Sequence, residues 1–205
     1  MNQPTDGELL ESWRSGDGSA FRELVERHQA VLLHHARSIL GRGQGAEDAV
    51  QEALLELANR PPELAREVSG NPQAERAQLL SWLHRVTRNK TMDTIRSETR
   101  RRAREAEAAS AEATAGEIDR VEENDTRSAV ERGLEKLPDA QREVLVLRLL
   151  GERSYSEIAE ITGRKSGTVG WLISKGLEAL SVELAHLMPA TAGAPTNTLS
   201  AEGQA

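Results

Sequence analysis

The chain contains no cysteine, which excludes disulfide frameworks, thiolate metal sites and cysteine nucleophiles and suits a reducing compartment. Aromatic residues are almost as scarce: three Trp, one Tyr and one Phe, 2% of the sequence. Leu, Val, Ile and Ala must therefore fill the core, a composition that favours helices over sheets. No apolar run approaches the roughly 20 residues of a membrane span, and Met1 to Leu10 lacks the basic-then-apolar pattern of a secretory signal. Lysine is limited to Lys90, Lys136, Lys165 and Lys175, the remaining bases being arginine. Gly-rich phosphate loops are missing, and the adjacent His34 and His35 lack the i, i+4 spacing of helical metal ligands. His28, His84 and His186 are isolated, and Glu47-Asp48 and Glu122-Glu123 read as solvated or partner-facing acids, not as an acid/base pair. The expectation is an all-α, cytoplasmic protein that is not an enzyme, with no cofactor, no metal and no membrane insertion.

What the chain does have is a strongly segregated charge. Its 205 residues carry a formal charge of −7, and the total acidity counts against a generic nucleic-acid coat. Divided along the chain, residues 1–60 carry −4, residues 61–104 carry +5, residues 105–126 carry −7 and residues 127–205 carry −1. A basic block followed at once by an acidic one is not what a uniformly solvated globule needs.

Helical periodicity dominates wherever apolar residues recur. Asp6 and Asp17 are candidate caps for the first two helices. Phe21, Leu24, Val25, Leu32, Ala36 and Ile39 follow three- and four-residue steps, and a second run over Ala46 to Ala58 places Ala49, Val50, Ala53, Leu54 and Leu57 inward. Pro61-Pro62 and Gly70-Asn71-Pro72 predict a long loop, or a short helix between loops, to about Gln78, and a further helix runs from about Ala77 past Arg96. The Ala- and Glu-rich stretch 105–126 has no apolar face and reads as an acidic linker, helical in part. The organisation expected is a first domain over 5–104, the linker over 105–126, a second domain over 127–187 and a disordered tail over 188–205.

Two segments carry chemistry. In SWLHRVTRNKTMDTIRSETRRRAR (81–104), Arg85, Arg88, Asn89, Met92, Asp93, Arg96 and Arg100 fall within about 140° of one another on a helix. Such a face can track phosphates while the opposite face stays docked. Trp82, at its edge, either stacks on an unpaired base or belongs to the core. Downstream, Leu137-Pro138-Asp139 opens a helix, and Ser154-Tyr155-Ser156-Glu157 matches the capping-box pattern of a short second one ending at Gly163. A third begins near Ser166 and buries Val169, Ile173, Gly176 and Leu180. That is a helix-turn-helix, whose last helix presents Thr168, Trp171, Ser174, Lys175 and Glu178 outward, with Arg164 and Lys165 at its start. Trp171 either packs against a neighbouring helix or the linker, or meets a thymine methyl or sugar on DNA. Bases are few on this surface, so this unit alone is expected to bind DNA weakly.

SAFRELVERHQ (19–29), AEDAVQEALLEL (46–57), SWLHRVTRNKTMDTIR (81–96), LPDAQREVLVLRLLGERSYSEIAEITG (137–163) and SGTVGWLISKGLEAL (166–180) resemble, in order, the regions of bacterial sigma-70-family factors. The fit is to the two-domain extracytoplasmic-function (ECF) group. The resemblance implies a factor that binds core RNA polymerase, recognises promoter −10 and −35 elements and helps melt the DNA. It assigns Asp48, Val50, Gln51, Glu52 and Leu55 to the polymerase β′ coiled coil, and Leu137 to Leu150 to the neighbourhood of the β flap. It assigns Trp82, Arg85, Arg88, Asn89, Asp93, Arg96 and Arg100 to the −10 element and the melted strand. Arg164, Lys165, Ser166, Thr168, Trp171, Ser174 and Lys175 fall to the −35 element, and an anti-sigma factor is implied as a partner. Two departures stand out. The run after Gly167-Thr168-Val169 is Gly170, Trp171, Leu172, Ile173, Ser174 where several bases are usual, and the loop before Trp82 reads several residues longer than usual. A conventional repressor or activator would share the helix-turn-helix but would not account for the basic helix together with the EDAVQE block. A degenerate sigma factor that titrates a partner remains open because the last helix is depleted in bases. The acidic linker, Glu105, Glu107, Glu112 and Glu117 included, is further expected to screen the basic helix in the free protein.

Overall fold

Thr5 opens the first helix through a reciprocal cap. Its hydroxyl accepts the Glu8 amide at 3.1 Å while the Glu8 carboxylate accepts the Thr5 amide at 2.7 Å. The computed structural model describes residues 3–41, 44–108 and 126–184, with side chains at 3–41, 44–105, 130, 132–182 and 184. Within them the chain forms α1 (Asp6–Arg14), α2 (Gly18–Leu40), α3 (Ala46–Asn59), a 3-10 turn (Arg66–Val68), α4 (Pro72–Ala108), α5 (Thr126–Glu135), α6 (Asp139–Leu149), α7 (Tyr155–Thr162) and α8 (Ser166–Leu184). Asp17 caps α2 as expected, its carboxylate accepting the Ser19 amide at 2.9 Å. Asp6 does not cap α1; it is the first residue of that helix and is buried. Residues 109–125 of the predicted linker and the predicted tail lie outside the described residues, so the screening role of the linker finds only Glu105 here, 3.5 Å from Arg101.

Helix α4 starts earlier and ends later than its apolar pattern suggests. Proline is well suited to a helix's first turn, where its missing N–H has no partner to lose, and the Asn71 side chain accepts the Ala74 amide at 3.2 Å. The long loop is thereby shortened to residues 60–71, pinned where Gln78 Oε1 accepts the Ala65 amide at 3.0 Å. At 37 residues, α4 is about 55 Å long. Its first half supplies core residues, and residues 96–105 are almost wholly exposed.

Two hydrophobic clusters form. The first joins Leu9, Leu10, Leu24, Leu32, Leu57, Leu79 and Leu83 from α1 to α4, with the Trp13 and Phe21 rings 4.8 Å apart and tilted by 35° on its edge. The second joins Leu137, Val144, Leu145, Leu147, Ile158, Ile161, Val169, Ile173 and Leu180 from α6 to α8. Leu149, carried by the expected first helix of this unit, is half exposed. In the turn between α7 and α8, Gly163 takes φ 69°, a left-handed conformation that glycine adopts without steric cost. The two units pack on one another, α6 against α2 and α7 against α4.

Candidate nucleic-acid interface

Helix α3 displays Asp48, Gln51, Glu52 and Leu55 on one exposed face, at i, i+3, i+4 and i+7. Leu55 is 54% exposed, a bare apolar group amid polar neighbours. Val50 lies in the core at 6% exposure, so of the residues assigned to polymerase it cannot contribute directly to a docking surface. Lys90 on α4 reaches the rim of this face, 3.8 Å from Glu52 and 3.7 Å from Glu56.

The outward face of α4 is basic, as its spacing predicts. Arg85, Asn89, Asp93, Arg96 and Arg100 are exposed. Arg96 pairs with Asp93 at 3.0 Å, and Arg100 donates to the Arg96 carbonyl at 3.2 Å. Trp82 is half-buried against the first hydrophobic cluster. It sits at the rim between core and surface. The opposite side of α4 buries Leu79, Leu80, Leu83, His84, Thr87 and Thr91. Counted as polar, the last three hid part of the inward face from a pattern based on hydrophobicity. Thr91 satisfies its buried hydroxyl by donating to the Thr87 carbonyl at 2.8 Å.

The helix-turn-helix forms from α7 and α8. Ser154 Oγ accepts the Glu157 amide at 3.3 Å, and Glu157 Oε2 accepts the Ser154 amide at 2.8 Å and its hydroxyl at 2.6 Å. On the outward side of α8, Trp171 is 59% exposed, so it is not packed inside the protein. Lys165, Ser166, Thr168 and Ser174 are exposed beside it. Lys175 is held at 2.7 Å by Glu178, and Arg164, half-buried, turns toward Glu143.

The second unit covers part of the basic face. Ser81 donates to Glu157 Oε1 at 2.8 Å, Arg153 donates to the Ala77 carbonyl at 2.8 Å, and Arg85 meets Glu160 at 2.9 Å. Deeper in, Arg88 Nε is 2.7 Å from Glu143, a residue 5% exposed. Burial alone would raise the Glu143 carboxyl, but the neighbouring His35 and Arg88 outweigh it and hold the group at about 2. His35 and His84, both fully buried, meet edge to face with their Nδ1 atoms 3.2 Å apart. Gly151 closes over this pair; a Cβ there would lie 3.1 Å from His84 Nε2 and 2.8 Å from the Leu147 carbonyl. These histidines are part of the contact between the two units, a role that isolated ring residues do not announce in a sequence.

His84 is pushed well below its ordinary 6.5, by burial first and then by the charges of His35, Arg153 and His28. Glu143 of α6, paired with Arg88 of α4, faces His35, His84's partner, at 3.9 Å, and stays ionised throughout the histidine range. The unfolded chain takes up a proton near 6.5 while the folded site refuses it, so unfolding becomes easier as pH falls below 6.5. Equilibrium urea unfolding between pH 7.5 and 5 is expected to show that loss, with a slope of up to about 1.4 kcal/mol per pH unit from this group. His84→Asn is expected to flatten the slope; an unchanged slope would mean that His84 is not its source.

Comparison with known proteins decides what these surfaces belong to. The Sigma-70 region 2 family matches residues 24–101, and Sigma-70, region 4 matches residues 127–180. The chain is 32% identical over 168 residues to the ECF RNA polymerase sigma factor SigM of Mycobacterium tuberculosis, covering 82% of this chain and 79% of that one. The chain belongs to the ECF sigma factors. Within that family it is also similar to the ECF RNA polymerase sigma-E factor of Escherichia coli, 31% identical over 199 residues, with 91% of this chain and 97% of that one covered. To SigW of Bacillus subtilis it is 29% identical over 184 residues, covering 85% and 94%. The fold is shared with the sigma factor RpoE solved in complex with the anti-sigma factor NepR from Bartonella quintana. That match has a TM-score of 0.57 at 22% identity and covers 80% of this chain and 96% of that one. It is also shared with CnrH in complex with the cytosolic domain of CnrY, at a TM-score of 0.53 and 24% identity, covering 88% and 97%. Sigma factors direct promoter-specific transcription with RNA polymerase, as initiation factors and not enzymes in the usual sense. In this ECF sigma factor, no helix among the described residues is long and apolar enough to cross a membrane.

Proposed function

We propose that this ECF sigma factor docks on core RNA polymerase through Asp48, Gln51, Glu52 and Leu55 of α3. In this reading it engages and melts the −10 element with Trp82, Arg85, Arg88, Asn89, Asp93, Arg96 and Arg100 of α4. It recognises the −35 element with α8 and the residues that lead into it. The observation that carries the reading is one side of α4 bearing arginine while the other is locked into a hydrophobic core, the arrangement needed to hold a phosphate-tracking surface rigid. Reconstitution with core polymerase on a genomic promoter library tests it: specific initiation is expected, and absence of polymerase binding would overturn it.

The −35 surface is read here as aromatic and hydroxyl-rich. With Lys175 tied to Glu178 and Arg164 turned toward Glu143, the bidentate arginine contact to guanine has no obvious donor on α8. Trp171, exposed beside Thr168, is suited to thymine methyl groups in the major groove. Trp171→Ala is expected to keep the fold and to weaken holoenzyme binding to a −35-dependent promoter roughly threefold to tenfold. No phosphate-binding charge is removed, so the salt dependence should be unchanged. Fluorescence anisotropy measures both. An unchanged affinity, with polymerase binding retained, would favour the second reading, a sigma factor whose α8 no longer reads DNA and which titrates polymerase.

An anti-sigma partner fits the groove between α2, α3, α5 and α6. This cavity of about 870 Å³ is lined in part by His34, Arg37, Asp48, Leu134, Leu149 and Leu150. Its exposed leucines and mixed charges suit an amphipathic helix.

A further inference from the structure

Several of the cations that the DNA reading requires are already engaged inside the protein. Glu143 on α6 receives Arg88 of α4 at 2.7 Å on one carboxylate oxygen and Arg164, in the turn before α8, at 3.4 Å on the other. His35 of α2 lies 3.9 Å away. One carboxylate thus joins the basic helix of the first unit to the helix-turn-helix of the second. At the rim, Glu160 of α7 repeats the arrangement with Arg85 at 2.9 Å.

A buried ion pair is a poor adhesive. Desolvating the charges cancels much of their attraction, and apolar residues of similar volume would join the two units at least as well. What a carboxylate does offer is the charge and forked oxygens with which guanidinium groups also bind phosphate. We propose that Glu143, aided by Glu160, acts as an internal phosphate mimic: it occupies Arg164 within its own unit and holds the two units closed by occupying Arg88, with Glu160 on Arg85, two arginines that DNA gains only when the units separate. The inference rests on the reading that these arginines face DNA, and it adds to that reading a competitor within the chain. Closure and DNA binding exclude one another because they use the same guanidinium groups. Any partner that pulls α6 and α7 away from α4 therefore raises DNA affinity without touching DNA.

Because the chain has no cysteine, Ser69→Cys and Ser181→Cys, exposed and one in each unit, accept spin labels for distance measurement in the full-length protein. In that background, E143Q/E160Q is expected to lengthen and broaden the distance distribution. Affinity for a fluorescein-labelled duplex of random sequence is expected to rise about tenfold at low salt. The log–log salt slope should steepen by about two to three, close to 0.9 for each arginine released. E11Q removes one exposed charge outside both surfaces and is expected to change neither reading beyond a small uniform gain. E160Q alone, at an exposed carboxylate, perturbs no core and is expected to give a gain of about threefold, so the proposal stays testable if the double variant folds poorly. Unchanged distance and unchanged affinity in both variants would overturn the mimic. R88A and R164A holoenzymes on promoter DNA separate the two ideas. If they bind as tightly as the unaltered chain, the DNA assignment fails and the mimic fails with it. If they bind more weakly while the Glu143 and Glu160 variants change nothing, only the mimic is overturned.

Discussion

Leu55→Asp is expected to weaken binding to core RNA polymerase by about 100-fold while leaving the fold intact. Leu55 is 54% exposed at the C-terminal end of the α3 face, one turn from Gln51 and Glu52 and two turns from Asp48. An exposed apolar group ringed by polar ones is the usual form of an energetic centre in an interface, the rim serving to exclude water. Aspartate would forfeit about 1.5–3 kcal/mol of apolar burial. It would also bring an unpaired carboxylate into the contact, beside carboxylates already there. A total near 3 kcal/mol corresponds to about two orders of magnitude in Kd. In the free protein the same position is solvated, so urea unfolding should shift by no more than about 0.5 kcal/mol. Titration of labelled protein with core polymerase gives the first quantity. A Kd within threefold of the parent would move the docking surface off α3.

Asp6→Ala is expected to cost about 3 kcal/mol of stability, the range seen when one partner of a buried ion pair is removed. Asp6 is 3% exposed and accepts from His28 at 2.9 Å and from Arg27 at 3.0 Å. Burial raises its carboxyl, yet hydrogen bonding and charge from His28 and Arg27 prevail and hold it below 3.8. A carboxylate lowered in the folded state stabilises it above its unfolded pKa, and that contribution disappears as pH falls through the folded value. Without Asp6, His28 remains fully buried with no carboxylate to meet it, and α1 loses its ionic tie to α2. Asp6→Asn, which retains an acceptor, should fall between the two. Urea unfolding monitored by circular dichroism decides the matter. A loss below about 1 kcal/mol would show that Leu9 and Leu10 hold α1 by themselves.

What the sequence displayed clearly was periodicity and local capping. The apolar faces of α2, α3 and α8 follow their three- and four-residue steps, and the Ser154–Glu157 box is written within four residues. The same pattern at Thr5–Glu8 is harder to see because the apolar run behind it is short. Pro72 resembles a breaker in the sequence, whereas its position at the first turn of α4 makes it a starter, with Asn71 as cap. Less accessible were interactions between distant residues. The partners of Arg88 and Arg85 lie 55 and 75 positions away, and no local pattern specifies such pairs. His35, His84 and Thr87 are polar residues that no local pattern assigns to core or surface. Their burial follows from how α2, α4 and α6 meet, which is a property of the assembled fold. Among the candidate site residues, Val50 shows the reverse: a matched position whose own helix turns it inward.

Glu157 carries a consequence for how this chain can change over generations. Its Oε2 closes the cap of α7, while its Oε1 accepts the Ser81 hydroxyl across the contact between the two units and the Arg153 guanidinium beside it. A replacement that loosened the contact would also fray the start of the helix-turn-helix, so selection for a well-formed α7 preserves the contact as a by-product. Glu160, which pairs with Arg85 at an exposed site and closes no helix cap, has no such protection. Lineages that diversify the strength of closure are therefore expected to do so at Glu160 and to leave Glu157 alone.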